Sequence, residues 1–206
     1  MRHRRWIARL ALMAVMGVAG TAAGTAPAAP RVQGDAAAFE EIVAAFRKLY
    51  ALPGYRMKVA LSDASSFEAE FAPPNSHWTV HTTQGGVIDS YFVGNTSAAK
   101  MSGAGVPGGG QCRRSPGAKP GQCFRDPTEF GGEMTVSRRP DTEIEGTAVH
   151  DYGYIEVAPG GARSSGDVFL GTQSGLPRRV LITEGAKAGA LDYYDYGATI
   201  TITLPC

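Results

Sequence analysis

The segment Asp35–Leu61, DAAAFEEIVAAFRKLYALPGYRMKVAL, decides the fold because the spacing of its apolar residues changes halfway along. In the first part, apolar residues recur every three or four positions, as on one face of a helix: Phe39, Ile42, Val43, Phe46, Leu49 and Tyr50. Asp35 is a suitable N-cap, and Pro53-Gly54 ends the helix. From Tyr55 to Leu61 every second residue is apolar, so the sequence predicts a helix followed at once by a half-buried strand.

The same period of two recurs on both sides of a glycine- and proline-rich middle segment. It predicts further strands at 67–71, 77–81, 87–93, 147–157, 167–171, 179–183 and 191–204. Residues 102–139 are interpreted as a long insertion, with a short helical turn or two between Thr128 and Val136. One amphipathic helix cannot cover so many strands laid flat. We therefore expect an α+β fold in which a curved antiparallel sheet wraps over the N-terminal helix.

The N-terminus has the pattern of a secretory signal peptide. Four arginines among the first nine residues precede the apolar run Leu10–Ala19, and Ala26-Pro27-Ala28 is a suitable cleavage site. The apolar run is shorter than the roughly 20 residues of a membrane span, which makes a permanent anchor the less favoured alternative. The sequence thus predicts a signal peptide at 1–28 and a single domain at 29–206, periplasmic or secreted and soluble after cleavage.

The charge of the predicted mature chain gives no sign of nucleic-acid binding. Without the four arginines of the leader, sixteen basic residues face nineteen acidic ones, a formal charge of −3. Proteins that bind nucleic acid usually carry a net basic surface, so no nucleic-acid partner is expected.

Three cysteines allow three different disulfide pairings in an oxidising compartment. Cys112 and Cys123 flank a basic loop rich in glycine and proline that no regular element could hold rigid. The sequence therefore favours a Cys112–Cys123 bond, with Cys206 free or intermolecular. The rival is a bond from Cys206 to one of the other two, which would clamp the C-terminal segment.

No arrangement of residues indicates catalysis. The string Gly103-Ala-Gly-Val-Pro-Gly108 matches a dinucleotide-binding motif in form, but no helix pattern follows it. His77 and His81 would share one face of a strand near Asp89, and a metal would need a third ligand. A solvated strand face is the simpler interpretation, and metal-dependent hydrolysis at these histidines is a distant alternative. We expect no enzyme, no catalytic residue, no metal and no cofactor.

Basic residues gather around the cysteine loop, among them Arg113, Arg114, Lys119 and Arg125. Guanidinium groups form charge-assisted hydrogen bonds with phosphates and carboxylates. This loop is accordingly a candidate contact for a membrane or a protein partner, although solvation of the loop alone would also explain its charge.

The C-terminal part carries a resemblance to a known family. Gly175-Leu-Pro-Arg178, Tyr193-Tyr-Asp-Tyr-Gly197 and Ile200-Thr-Ile-Thr-Leu-Pro205, together with the order of helix and strands, resemble the LolA/LolB/LppX-like superfamily of exported lipid and lipoprotein carriers. The resemblance implies an incomplete β-barrel wrapped over helices. It also implies an apolar cavity for acyl chains and no cofactor, with the alternating strand at 191–204 closing the half-barrel.

From this resemblance we expect a carrier or chaperone whose partner is a lipid or an acylated protein. The ligand-facing residues would be the apolar set of the helix and of the alternating strands: Phe39, Ile42, Val43, Phe46, Met57, Val59, Phe71, Trp78, Val80, Val168 and Leu170. The alternative is a periplasmic protein-interaction or sensory module on the same scaffold, with a filled core and the basic cysteine loop as its contact surface.

Overall fold

The structure is a computed structural model, and it describes residues 29–62, 65–82, 85–103, 110, 112–117 and 131–206. The predicted signal peptide and Cys123 lie outside the described residues. No helix in the described part of the chain is long and apolar enough to cross a membrane. The division into a leader and one domain with an insertion at 102–139 stays a prediction.

The helix forms where its spacing predicts it. Helix α1 spans Ala36–Tyr50, and the side chain of Asp35 caps it by accepting a hydrogen bond from the amide of Ala38 at 3.0 Å. Its N-terminal neighbour is a short strand, β1, at Arg31–Gly34, which the sequence analysis missed.

The remaining strands account for most of the described chain. They are β2 Tyr55–Leu61, β3 Ser66–Ala72, β4 Asn75–His81, β5 Gly86–Val93, β6 Thr96–Gly103, β7 Cys112–Pro116, β8 Glu133–Arg138, β9 Thr142–Ile144, β10 Thr147–Val157, β11 Arg163–Gly171, β12 Pro177–Glu184 and β13 Lys187–Tyr194.

All thirteen described strands belong to one large, curved, open sheet. Its order is β1-β8-β10-β11-β12-β13-β2-β3-β4-β5-β6-β7, with β9 paired to β10 beside β8. Every pairing is antiparallel except β1 with β8. The predicted curved antiparallel sheet with one N-terminal helix is therefore confirmed.

The helix packs against one part of this sheet. It contacts β1, β8, β11 and β12, and its apolar face joins a single hydrophobic cluster with residues of β2, β3 and β4. The chain leaves α1 through Pro53-Gly54 and enters β2 directly. A Cβ atom at Gly54 would lie 2.4 Å from the carbonyl oxygen of Ala198, so this close crossing of two backbones requires glycine.

The predicted closing strand at 191–204 is wrong in its second half. Strand β13 ends at Tyr194, and its two neighbours, β12 and β2, already occupy both of its edges. The backbone turns at Asp195 (φ 53°) and Gly197 (φ 79°), and the amide of Gly197 donates to Gly54. Residues 201–203 still alternate in burial although they are not paired in the sheet: Ile202 is buried between two exposed threonines.

The favoured Cys112–Cys123 disulfide is also wrong, because Cys112 is bonded to Cys206, across 94 residues of sequence. The rival pairing, which clamps the C-terminal segment, is confirmed. Residues 198–206 in extended form span roughly 30 Å, whereas the strands from β2 to β7 lie about 24 Å apart. The C-terminal segment therefore reaches from Gly54, beside β2, across the sheet to β7.

The helical turn expected between Thr128 and Val136 is wrong for its described part. Residues 133–136 belong to strand β8, and 128–130 lie outside the described residues. Apolar residues at every second position indicate this strand: Val136 is buried and Met134 half-buried, with exposed residues between and beside them. The predicted insertion thus contributes β7 and β8, which lie towards opposite ends of the sheet.

Candidate functional site

The eleven residues expected to face a ligand come together in the structure. Nine are buried, with exposures of 1–6%, and all belong to one hydrophobic cluster between α1 and the sheet. Phe46 and Val80 are half-buried and pack against the same cluster. The structure thus assembles the predicted apolar surface, while binding of a ligand by these residues stays a prediction.

Aromatic rings line the part of the cluster formed by β2, β3 and β4. Tyr55 stacks on Phe71 with ring centroids 4.6 Å apart, and Trp78 meets Phe71 edge-on at 5.4 Å. Phe67 lies 5.7 Å from Trp78. The indole nitrogen of Trp78 donates to the hydroxyl of Ser76 at 3.1 Å, so the single polar atom of this ring is satisfied inside the sheet.

On the helix side, Phe46 links α1 to β13, a central strand of the sheet. Its ring meets Tyr193 of β13 edge-on at 6.1 Å and lies 6.0 Å from Tyr50. The interior is consequently bounded by aromatic rings from both the helix and the strands.

The structure adds buried residues that the sequence analysis left out of the site, notably Tyr55, Phe67, Tyr152 and Tyr193. The sequence indicated that Tyr55 and Phe67 point inward, since alternation puts them on the face of Met57 and Phe71. Tyr152 and Tyr154 of β10 are two residues apart and share the inner face, so alternation was a signal there as well. In β13, Tyr193 and Tyr194 are adjacent, and two neighbouring tyrosines do not by themselves indicate which ring points inward.

The interior carries no formal charge among the described residues, since the buried polar residues there are three serines, Ser65, Ser76 and Ser164. Burial raises the pKa of Tyr193 well above its ordinary value and that of Tyr196 to about 12. The Tyr196 hydroxyl donates to the carbonyl oxygens of Pro177 and Tyr193, at 2.5 and 2.7 Å. Both phenols stay neutral at physiological pH, so the interior suits an acyl chain and disfavours an ionic group.

One row of the inner face is only partly covered. The strand register places Tyr154, Gly166, Ile182, Gly189 and Leu61 side by side on neighbouring strands. Two of the five positions carry no side chain, and Tyr154 and Ile182 are half-buried. We call this row the glycine row. Neighbouring atoms lie close to both glycines: a Cβ atom at Gly166 would overlap the carbonyl oxygen of Leu181, and one at Gly189 would lie 3.0 Å from Cδ2 of Leu61.

Polar contacts hold α1 on the sheet at two points. The buried Tyr152 hydroxyl donates to the carboxylate of Glu41, which also lies 3.3 Å from Nη1 of Arg138. Burial and this carboxylate raise the pKa of Tyr152. Nearer the C-terminal end of α1, Lys48 Nζ donates to the carbonyl oxygen of Ser174 at 2.6 Å. Movement of the helix away from the sheet requires these contacts to break.

The histidine face predicted on β4 is a hydrogen-bonded polar surface. His77 Nε2 lies 3.1 Å from Asp89 Oδ1, the Thr79 hydroxyl donates to the same oxygen at 2.8 Å, and the imidazole stacks on Tyr91. His81 lies exposed further along the strand. In the part of the chain that the structure describes, no three metal-ligating side chains are arranged to hold an ion.

Comparisons with known proteins identify the fold. No protein-family model matches the chain, and no curated protein matches it in sequence. Among solved structures it is similar to the lipoprotein LppX from Mycobacterium tuberculosis, with a TM-score of 0.59, 12% identity, and coverage of 82% of this chain and all of LppX. It is also similar to LprF from Mycobacterium bovis, with a TM-score of 0.54, 14% identity, and coverage of 84% of this chain and 98% of LprF. The resemblance stated from the sequence is therefore confirmed for the fold.

Proposed function

We propose that this protein is an exported, non-catalytic carrier or chaperone that holds the acyl chains of a lipid or lipoprotein between α1 and the curved sheet. The observation that carries the proposal is the single uncharged, aromatic-lined cluster shared by one amphipathic helix and an open sheet. The fold shared with LppX and LprF supports it. In this proposal the sheet wraps over the helix around an interior that can open.

The energetics of acyl burial fit such an interior. Each methylene that leaves water contributes about 0.8 kcal/mol, so a chain of ~14 carbons gains on the order of 10 kcal/mol. This favourable free energy has to exceed the cost of separating the side chains that pack against one another in the absence of a ligand. No charged or catalytic group is needed for binding, and the interior offers none among its described residues.

The glycine row is the place where an acyl chain would enter with least rearrangement. Tyr154 and Ile182 of this row are half-buried at the edge of the cluster, so fewer contacts have to be broken there than beneath α1. Release would then combine a shift of these side chains with a movement of the helix. The predicted leader places this activity outside the cytoplasm.

A second candidate, a protein-interaction or sensory module with a filled core, is favoured by one observation. The eleven predicted ligand-facing residues already pack against one another within the cluster. In that case the scaffold would bind a protein partner through its surface, and its interior would be structural only.

The test is native mass spectrometry of the exported protein, followed by solvent extraction and lipid analysis. Val80→Trp fills the edge of the interior with a larger ring, whereas His81→Trp places the same ring at the next residue on the opposite, exposed face. We expect co-purified lipid in the wild type and in His81→Trp, and little or none in Val80→Trp. A wild-type protein that carries no lipid and takes up no added fatty acid or phospholipid would contradict the proposal.

A further inference from the structure

Charge is strongly segregated along this chain. From Ser90 to Arg125 there are five basic residues and no acidic one. The rest of the predicted mature chain has eleven basic residues against nineteen acidic ones. A basic segment in an otherwise acidic protein is a candidate contact for an anionic surface.

The structure collects the described part of this segment at one end of the sheet. Strand β7 is the last strand of the described sheet on that side, paired only with β6. Arg113 and Arg114 are adjacent on β7, both are exposed, and they point to opposite faces of the strand. Neither forms an ion pair with any other described residue.

An exposed apolar side chain lies beside these cations. Met101 of β6 is 46% exposed and is the one large hydrophobic residue of the described chain that is exposed. Arg113 lies on the same face as Met101, because it pairs with Ala99, whereas Lys100 and Arg114 point to the opposite face. All four reach the edge of the sheet that β7 forms. We call Lys100, Met101, Arg113 and Arg114 the β6–β7 patch.

We propose that the β6–β7 patch is a docking surface for an anionic phospholipid bilayer. Its three cations bind lipid phosphates, and the thioether chain of Met101 inserts between the headgroups. Basic residues near an anionic membrane each add to binding, and an adjacent apolar side chain adds to it by burial. An acidic protein partner would satisfy the cations but gives no role to an exposed methionine on the face of Arg113.

The strand register connects this patch to the interior. Met101 pairs with Ile88, Ile88 with Val80, and Val80 with Phe67, so all four lie on the inner face of the sheet. The row runs from the patch to the edge of the hydrophobic cluster. A bilayer that docks against the edge of the sheet at β7, where side chains of both faces reach it, would therefore lie at the end of the row that leads to Val80. Docking itself does not depend on the proposed acyl binding and is measurable on vesicles alone.

The experiment is co-sedimentation of the full mature protein with phosphatidylcholine vesicles, with or without about 30 mol% phosphatidylglycerol. We expect binding to the anionic vesicles only, weakening as salt is raised. Arg113→Glu combined with Arg114→Glu should lower the partition coefficient at least about tenfold, since each basic residue contributes roughly fivefold. Met101→Ser should lower it severalfold at unchanged net charge.

The matched control is Arg31→Glu combined with Arg163→Glu, two exposed arginines on other strands that change the net charge by the same amount. It should keep partition within about twofold of the wild type. An equal loss in this control, equal binding to neutral vesicles, or binding to soluble polyglutamate in place of vesicles would overturn the proposal. The Arg113→Glu, Arg114→Glu variant separates the two proposals, because it should lose vesicle binding while it takes up added fatty acid in solution as the wild type does.

Discussion

Two neighbouring parts of one sheet, β2–β4 and β5–β7, have similar alternating sequences and very different surroundings. On the inner face of β2–β4, residues such as Met57, Phe71 and Trp78 are at most 3% exposed. On the inner face of β5 and β6, Ile88 and Phe92 are half-buried and Met101 is exposed. Alternation determines which side of a strand points inward. The amount of burial depends on what lies against that side: residues of β2–β4 belong to the hydrophobic cluster that α1 joins, whereas β5 and β6 lie at and beyond the edge of this cluster.

The largest loss of stability is expected when an aromatic ring is removed from β2–β4, and a smaller loss when one is removed from β5–β7. Trp78→Ala should lower the free energy of unfolding by about 3–5 kcal/mol, because it leaves a cavity among closely packed rings. Phe92→Ala, in the half-buried part, should cost about 1–2 kcal/mol. Urea unfolding of both variants measures the difference. Equal losses would mean that the two parts of the sheet are equally packed.

The second-largest loss of stability is expected from removal of the disulfide, because it links the less buried part, β5–β7, to the C-terminal segment. Breaking the Cys112–Cys206 bond with Cys206→Ser, in a Cys123→Ser background, should lower stability by about 2–4 kcal/mol. Hydrogen exchange should rise most in β6 and β7. Cys123→Ser alone is the control, and peptide mapping should find its Cys112–Cys206 bond intact. A protected β7 after loss of the bond would show that the clamp is dispensable there.

A smaller loss of stability is expected when the polar contact between α1 and the sheet is removed. Glu41→Gln replaces the carboxylate that accepts the Tyr152 hydroxyl and lies beside Arg138. We expect a loss of about 1–2 kcal/mol and faster hydrogen exchange in α1. Glu40→Gln changes the preceding, exposed residue of the same helix and should have little effect. If both variants behave alike, the contact with Tyr152 does not hold the helix.

The smallest effect is expected at Asp151 on β10, far from both parts. Its Oδ1 is buried without a hydrogen-bond partner, and burial followed by the charge of Asp167 raises the pKa of its carboxyl. A raised pKa means that the ionised carboxylate destabilises the fold, fully so only above the folded pKa. Asp151→Asn should therefore stabilise the protein at pH 7, by less than about 1 kcal/mol.

The gain should vanish as the pH falls below about 3.8, the ordinary pKa of aspartate. Thermal melts of the variant and the wild type between pH 3 and 7 test the sign. A gain of the same size at every pH would show that removal of charge at Asp151 is not its cause.

Local patterns predicted much of this fold. The helix bounds followed from the spacing of Phe39 to Tyr50, and strand β10 at Thr147–Val157 was predicted with its observed limits. The eleven apolar residues lie in one cluster, as their period and chain order indicate, while ligand binding by them stays a prediction. These are short-range signals, and the sequence carries them directly.

The failures were long-range. Residues 198–204 alternate like a strand, yet both edges of β13 are occupied, and edge occupancy depends on the topology of the whole sheet. Cys112 and Cys206 meet because the C-terminal segment crosses several strands, and the nearer Cys123 gave the more obvious pairing. The β6–β7 patch is exposed because β7 is the last strand of the described sheet, and alternation in the sequence does not predict the order of strands.

Acyl binding in the interior can be tested by photo-crosslinking of the wild-type protein with a fatty acid that carries a diazirine near its methyl end. The labelled peptides are then identified by mass spectrometry. The account predicts labels on α1 and on the inner-face residues of β2–β4, such as Met57 and Trp78, with competition by unlabelled fatty acid. Labels confined to the outer face around His77 and Tyr91, or labels that do not compete, would contradict an acyl-binding interior.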